Sequence, residues 1–415
     1  MKTRTIFSQA TAAISLIAIG LAGSGSAIAQ DRNRDRSIDN LPRPGYEPRN
    51  INIGGTILEP TLSLDATYDN NVYATSANEE DDAIFRIAPS LRASREMSKV
   101  RVEADVYASI LRFADHKREN AESFGAETNI GYIGDPQHTA NLSVRYDRTF
   151  ERRTDPEANP DLSLKPSNID VVDAEYSYRY KPGRIGVGAS AGISKVDYRS
   201  AQDADRDLTT YRAAIRGIYQ LSGKVDLFVE GYGNFRDARL PFDRNGIDRD
   251  TTTWGGTLGA SVAIADRLTG EMGIGYFNAN PEDPRTPNFS GVSANGRITW
   301  RPRIRTAVSL DVFRGNVATI RSGATGRIDT RVGLRVDQEV RHNLIARAGV
   351  SMRDTSYRGA ALRDQTNWGG DVGGEWLLNR FSAITFNLSY MKRTAEQRLD
   401  KFDKFMGTLG VRLRF

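Results

Sequence analysis

The sequence predicts an all-β protein. Its fold class is a transmembrane, antiparallel, up-and-down β-barrel of about eighteen strands, sixteen being the alternative, after a cleaved signal peptide. Three observations carry that expectation: a two-residue hydrophobic alternation over most of the chain, connections that alternate between short and long, and an N-terminal secretory leader.

The leader occupies residues 1–29. Lys2 and Arg4 give a positive start, Ala12 to Ala22 form an apolar run, and Ala27-Ile28-Ala29 is a small-x-small cleavage site before Gln30. Residues 30–55 are charged, contain proline and lack apolar periodicity, so they are expected to form a flexible periplasmic segment. The barrel is expected over 56–415.

Composition excludes several classes. The 415 residues include no cysteine and three histidines, which removes thiol nucleophiles, disulfides and His/Cys metal sites. No phosphate-binding GxxxxGK[ST] loop or HExxH zinc motif occurs. The formal charge of +5 is small against 57 basic and 52 acidic residues, so nucleic acid is not an expected partner. Beyond the leader, no run reaches the roughly 18 apolar residues that a membrane-spanning helix needs.

Successive side chains leave a strand on opposite faces, so a period of two marks strands. The expected spans are 57–68, 82–94, 99–114, 121–133, 137–150, 167–181, 184–199, 207–220 and 224–239. They continue as 250–264, 267–280, 286–301, 303–316, 327–340, 342–358, 363–379, 380–394 and 401–415. In the third, Val100, Val102, Ala104 and Val106 alternate with Arg101, Glu103 and Asp105. In the fourteenth, Ile328, Thr330, Val332, Leu334 and Val336 alternate with Asp329, Arg331, Gly333, Arg335 and Asp337.

Short turns fall near Arg95–Ser98, Gly134–Pro136, Pro182–Gly183, Ser222–Gly223, Asp266, Pro302, Arg341 and Asn379–Arg380. Longer polar loops lie between them. Short periplasmic turns alternating with longer outer loops are what an outer-membrane barrel requires, and an even strand count puts both termini on the periplasmic side. The expected location is therefore the outer membrane of a Gram-negative bacterium, among its lipid and lipopolysaccharide. Trp254, Trp368 and Tyr211 are expected at the outer rim, and Trp300, Trp376, Tyr180, Tyr219 and Phe415 at the inner rim. Leu409, Val411, Leu413 and Phe415 form an amphipathic last strand of the kind that barrel-assembly machinery reads.

Apolar positions should face lipid and polar ones a hydrated lumen. The channel-lining candidates begin with Arg101, Glu103, Asp105, Arg145, Asp147, Glu175 and Arg179. Arg212, Arg216, Asp226, Glu230 and Arg297 follow. Arg331, Arg335, Asp337, Arg347, Arg353, Arg412 and Arg414 complete the set, with arginine in excess in the last third. Two readings stand: arginine–carboxylate ladders that brace the wall, and arginine rings that favour anionic solutes. No catalytic residue is expected. His116 falls in an outer loop, and His138 and His342 fall at periplasmic turns, each as a solvated turn residue without a serine and acid beside it. The acidic run Asn78 to Asp82 reads as a solvated loop rather than a cation site, so no metal or cofactor is expected.

Leu58, Pro60, Leu62, Leu64, Tyr68, Asp69, Asn71, Val72 and Tyr73 form the run L-x-P-x-L-x-L-x-x-x-Y-D-x-N-V-Y, followed by Ala88 to Leu91, A-P-S-L. This resembles the opening of the putative β-barrel porin 2 family. Asp69 and Asn71 would make a tight polar turn at the first outer loop. The resemblance implies an outer-membrane conduit for exopolysaccharide secretion, partnered by a periplasmic polysaccharide export protein. The alternatives are a general diffusion porin for small, including anionic, solutes and a barrel that merely anchors a structural or adhesive surface protein. Residues 151–166, the longest loop, are the candidate for an inward-folded constriction.

Overall fold

In the computed structural model, residues 38–158, 161–244, 246–265, 267–319, 324–359 and 363–415 are described. The leader expected over 1–29 and the tract 30–37 lie outside them. A short strand, β1 (Ile51–Ile53), precedes β2 (Thr56–Asp69), β3 (Asp82–Glu96), β4 (Val100–Phe113), β5 (Ala121–Asp135), β6 (His138–Phe150) and β7 (Asn168–Tyr180). Then come β8 (Ile185–Tyr198), β9 (Leu208–Ser222), β10 (Val225–Ala238), β11 (Thr251–Ile264), β12 (Leu268–Pro281) and β13 (Phe289–Arg303). The wall ends with β14 (Thr306–Val317), β15 (Ala324–Arg341), β16 (Leu344–Gly359), β17 (Gln365–Leu377), β18 (Ser382–Ala395) and β19 (Phe402–Arg414).

From β2 onward each strand pairs antiparallel with its chain neighbour. The ring closes where β19 returns to β2, from Met406 opposite Asp69 to Arg414 opposite Thr61. Closure has a physical cause: an open sheet edge in hydrocarbon leaves N–H and C=O groups without partners, at several kcal/mol each. The eighteen-strand expectation therefore holds and the sixteen-strand alternative does not.

The faces are inverted relative to a soluble protein. Ile215, Leu258 and Ile274 are 73%, 64% and 63% exposed, whereas Asp329 and Thr355 are fully buried. The expected rim aromatics are all exposed on the outside: Trp254, Trp368 and Tyr211 near the long-loop ends of their strands, and Trp300, Trp376, Tyr180, Tyr219 and Phe415 near the short-turn ends.

Two features depart from the alternation pattern. First, residues 38–55, part of the segment expected to be flexible, have a defined course. Ile51–Ile53 form a hairpin with β2, turning through Gly54 and Gly55 at φ of 58° and 86°, angles that favour glycine. Upstream, Ile38–Asn40 make a single 3-10 turn that enters the barrel. A motif this short has no periodicity to read. Second, β13 and β14 stop pairing before their long-loop ends.

Candidate functional site

The candidate site is the lumen, and it is narrowed at both mouths. At the long-loop end, residues 151–167 join β6 to β7 and cross to the opposite wall. Glu157 pairs with Arg327 of β15 at 3.2 Å and accepts from the Thr319 hydroxyl at 2.5 Å. Gln365 of β17 donates to the Pro156 carbonyl at 3.3 Å, and Arg393 of β18 donates to the Thr154 carbonyl. Counting round the ring of eighteen, β15 stands nine strands on from β6, which is diametrically opposite. The loop is thus tied across the mouth rather than standing in solvent.

The loop's base is held by the first outer loop. Asp69 Oδ1 accepts from the Asn71 amide at 3.1 Å, a side-chain turn of the kind aspartate favours. Asn71 is fully buried. Its amide nitrogen donates to the carbonyls of Thr75 (2.8 Å) and Asp403 (2.9 Å), and its oxygen accepts from the Thr75 amide (3.0 Å). Lys404 meets Asp69 at 2.6 Å, which locks this turn to β19. The ring of Tyr73 then lies beneath the Arg153 guanidinium, 6.0 Å from its centroid. Arg153 also pairs with Glu119 at 2.8 Å and donates to the Leu164 carbonyl at 2.7 Å. Asp69, Asn71 and Tyr73 therefore end in a support for the crossing loop, while Val72 is buried in the same turn with its amide donating to the Glu80 carbonyl at 2.8 Å, and Tyr68 is exposed on the outer face of β2. Pro60 lies apart in β2, its carbonyl accepting from the Phe415 amide at 3.2 Å.

At the short-turn end the docked N-terminal segment takes the corresponding place. Ile38 is 3% exposed and packs with Leu41 against Ala307 and Ile345 of the inner wall. Arg43 donates to the carbonyls of Asp39 (2.9 Å) and Ile38 (2.6 Å) and to Glu339 (3.3 Å). Asp39 pairs with Arg347 at 2.5 Å.

Between the mouths the polar faces are braced by ion pairs. Asp329 holds Arg353 (2.6 Å), Arg331 (2.9 Å) and Arg327 (3.2 Å). Glu375 holds Arg412 (3.1 Å) and Arg347 (3.7 Å), and Arg347 also reaches Asp337 (3.6 Å). On the other side Arg216 bridges Glu230 and Glu271, both at 2.8 Å, and Lys181 meets Asp226 at 2.6 Å. Arg92 pairs with Asp105 at 2.8 Å, and Arg101 pairs with Glu96 at 3.1 Å. Arg145 pairs with Asp147, as Arg297 does with Asp311. Arg179 donates to Thr139 at 3.3 Å and Arg414 to the Asn379 carbonyl at 3.5 Å. Glu175 and Arg212 line an internal cavity with Glu230 and Tyr232. Glu103 and Arg335 lie on the same strand faces as their paired neighbours.

Asp329 is shared by three arginines, whereas Arg216 and Arg347 each meet more than one acid, so positive charge is in excess at Asp329 rather than along the whole wall. Sequence reasoning missed Arg327, Asp329, Glu375 and Arg393, although each stands in the alternation. Arg43 and Asp39 carried no periodic signal.

His116 and His138 are engaged by neighbours, whereas His342 stays exposed at its turn, as expected. His116 contacts Glu80 (2.6 Å) and Asp82 (3.1 Å) and meets the Tyr73 ring edge-on. Burial works against its imidazolium, but the hydrogen bonds to Glu80 and Asp82 outweigh it and raise the pKa above the ordinary histidine value. The acidic run thus clamps a histidine through Glu80 and Asp82. His138 meets the Tyr178 hydroxyl at 2.6 Å and stacks on Tyr180, and His342 lies 3.3 Å from Glu339. Each lies in a connection or at a strand end where a carboxylate or phenol comes within reach, which spacing alone does not reveal.

The family model described as Putative beta-barrel porin 2 matches residues 43–415. No curated protein matches the chain. Among solved structures, Acinetobacter baumannii OccAB3 aligns at 9% identity over 88% of this chain and 100% of that one, with a TM-score of 0.45. Pseudomonas aeruginosa OccK2 (OpdF) aligns at 11% identity over 87% and 98%, with a TM-score of 0.45. The Pseudomonas aeruginosa outer membrane protein opdK aligns at 12% identity over 86% and 99%, with a TM-score of 0.44.

Proposed function

The chain belongs to the putative beta-barrel porin 2 family, and from that premise we propose that this outer-membrane, porin-like channel passes small hydrophilic solutes, with a preference for anions. The reading rests on one observation above others: the loop after β6 is fastened to the far wall through Glu157, Arg327, Gln365 and Arg393. A loop so placed divides the mouth into narrow passages. Around Asp329 three arginines, Arg327, Arg331 and Arg353, outnumber the two carboxylates they meet, Asp329 and Glu157, which supports the anionic preference.

Exopolysaccharide secretion, the biology implied by the sequence resemblance, has less support. A polymer would need both the crossing loop and the docked N-terminal segment to leave the lumen. We place the short turns and both ends of the barrel on the periplasmic side, with the leader of residues 1–29 removed on export and the last strand presented to the assembly machinery.

Liposome swelling tests the size limit. Uptake should fall steeply from pentoses to trisaccharides; entry of dextran as fast as a pentose would overturn the small-solute reading in favour of a polymer conduit. Reversal potentials in a KCl gradient test the charge preference. Arg331→Gln with Arg335→Gln should move the potential toward that of a nonselective pore, and an unchanged potential would refute the anionic preference.

A further inference from the structure

One seam of the wall does not close up to its rim. β13 and β14 pair from Arg303 opposite Thr306 to Ala294 opposite Arg314, and no further. Yet β13 runs on to Phe289, still paired with β12, and β14 runs on to Val317, still paired with β15. Beyond Ala294 the two halves of the wall separate, and among the described residues Phe289–Ser293 have no strand on that side.

The separation is built in. Arg236 of β10 donates to the Asn316 carbonyl at 2.9 Å, and the Asn316 side chain donates to Thr253 of β11 at 3.1 Å. Both contacts draw the end of β14 against the inner face. Ile328 of β15, 2% exposed, packs there on Phe277 and Ala279. Gly326 lies against the Phe289 ring, where a Cβ would come within 2.3 Å of it. The ends of β14 and β15 are thus tucked inside β12 and β13, and the seam is left as a notch.

An internal cavity of about 70 Å³ reaches this notch. Both lips line it, through lumen-facing Ser293 and Phe313 and through Ala294 and Arg314, while Glu230 and Tyr232 line its inner side. Arg314 continues the outward series Val308, Leu310, Val312, and its guanidinium donates to the Thr330 hydroxyl. A cation on the lipid side of a barrel is tolerated at headgroup level and costly deeper. In the hydrogen-bonded rows across β11, β12 and β13, Ser290 aligns with Trp254, a rim aromatic, whereas Ala294, with Arg314 opposite it, aligns with Leu258 and Ile274, so the notch runs from that girdle inward to Arg314.

We propose that this seam is a lateral portal through which a single-chain amphiphile, with an anionic head and an alkyl tail, exchanges between the lumen and the leaflet at the long-loop end. Arg314 meets the head, and Phe313, Tyr232 and Ala294 accommodate the tail. This route is additional to the axial path, and its failure would leave the small-solute reading untouched.

The chain has no cysteine, so single cysteines report cleanly. Ser293→Cys, Thr257→Cys and Val292→Cys are each labelled with bimane in the full mature protein and reconstituted into phosphatidylcholine vesicles containing 5-doxylstearate. Ser293 and Thr257 line the same cavity, but Thr257 sits behind unbroken ladders on both sides. Quenching at Ser293→Cys is expected to be about threefold or more that at Thr257→Cys and close to that at lipid-facing Val292→Cys, because only an open seam admits the stearate. Quenching at Ser293→Cys that stays far below that at Val292→Cys and no greater than that at Thr257→Cys would overturn the portal. Hydrogen exchange of the unsubstituted protein gives a second reading: amides of Ser290 and Val292, which point across the seam while their neighbours Gly291 and Ser293 point to β12, should exchange roughly tenfold faster than those of Ile274 and Tyr276. Equal protection would likewise refute an open seam.

Discussion

Arg43→Ala removes the side chain that ties the docked N-terminal segment to the barrel wall. Arg43 makes three hydrogen bonds, two of which close the 3-10 turn onto itself while the third reaches Glu339. Hydrogen bonds to a charged group contribute about 1.5–3 kcal/mol net, and the three share one guanidinium, so the loss is taken as that of one such group. The remaining Glu339 keeps Arg305 at 3.5 Å and His342 at 3.3 Å, so no orphaned carboxylate enlarges the effect. About 1.5–3 kcal/mol shifts the docked-to-undocked ratio roughly 10- to 150-fold, since each 1.4 kcal/mol is tenfold. In planar bilayers under symmetrical KCl, the variant should show longer or more frequent high-conductance dwell times than the unaltered channel. Its fold can be checked by heat-modifiable gel mobility. Identical conductance and dwell times in a folded variant would refute the view that this segment narrows the short-turn mouth.

Glu157→Ala should free the crossing loop from Arg327 and Thr319 and raise the swelling rate for trisaccharides more than for pentoses; a uniform change would argue against a constriction there. Ile215→Arg, at an exposed position within β9, should destabilise the folded barrel in bilayers by about 2–4 kcal/mol if it lies near the midplane. An ordinary exposed site on a soluble protein would shift by no more than about 0.5 kcal/mol, so urea titration in vesicles separates the two environments. His116 has a folded pKa raised above its unfolded value, so its contribution is fully present below the unfolded value and is lost as pH rises through the raised folded value. Hydrogen exchange in residues 114–120 should therefore quicken across that window, and His116→Gln should flatten the dependence; an equal pH response in the variant would contradict the clamp on Glu80 and Asp82.

The family's opening motif shows how far sequence reasoning reaches. That Asp69 and Asn71 would shape a tight first turn was legible, because their side chains bond to nearby backbone wherever they stand. That Tyr73 would support Arg153, and through it a loop more than seventy residues downstream, was not legible, because nothing in either segment encodes the other's position.

The same division runs through the whole chain. Alternation along each strand determined about eighteen crossings, which face meets lipid and where the rim aromatics stand, because period two is a local property of extended backbone and the hydrocarbon core rejects polar groups. Tertiary structure alone decided which arginine meets which acid, that Glu157 reaches Arg327, that Ile38 and Arg43 enter the lumen, and that β14 leaves β13 for Arg236 and Thr253. Those contacts join residues brought together only when the ring closes. Their energies depend on distances that a linear pattern does not contain.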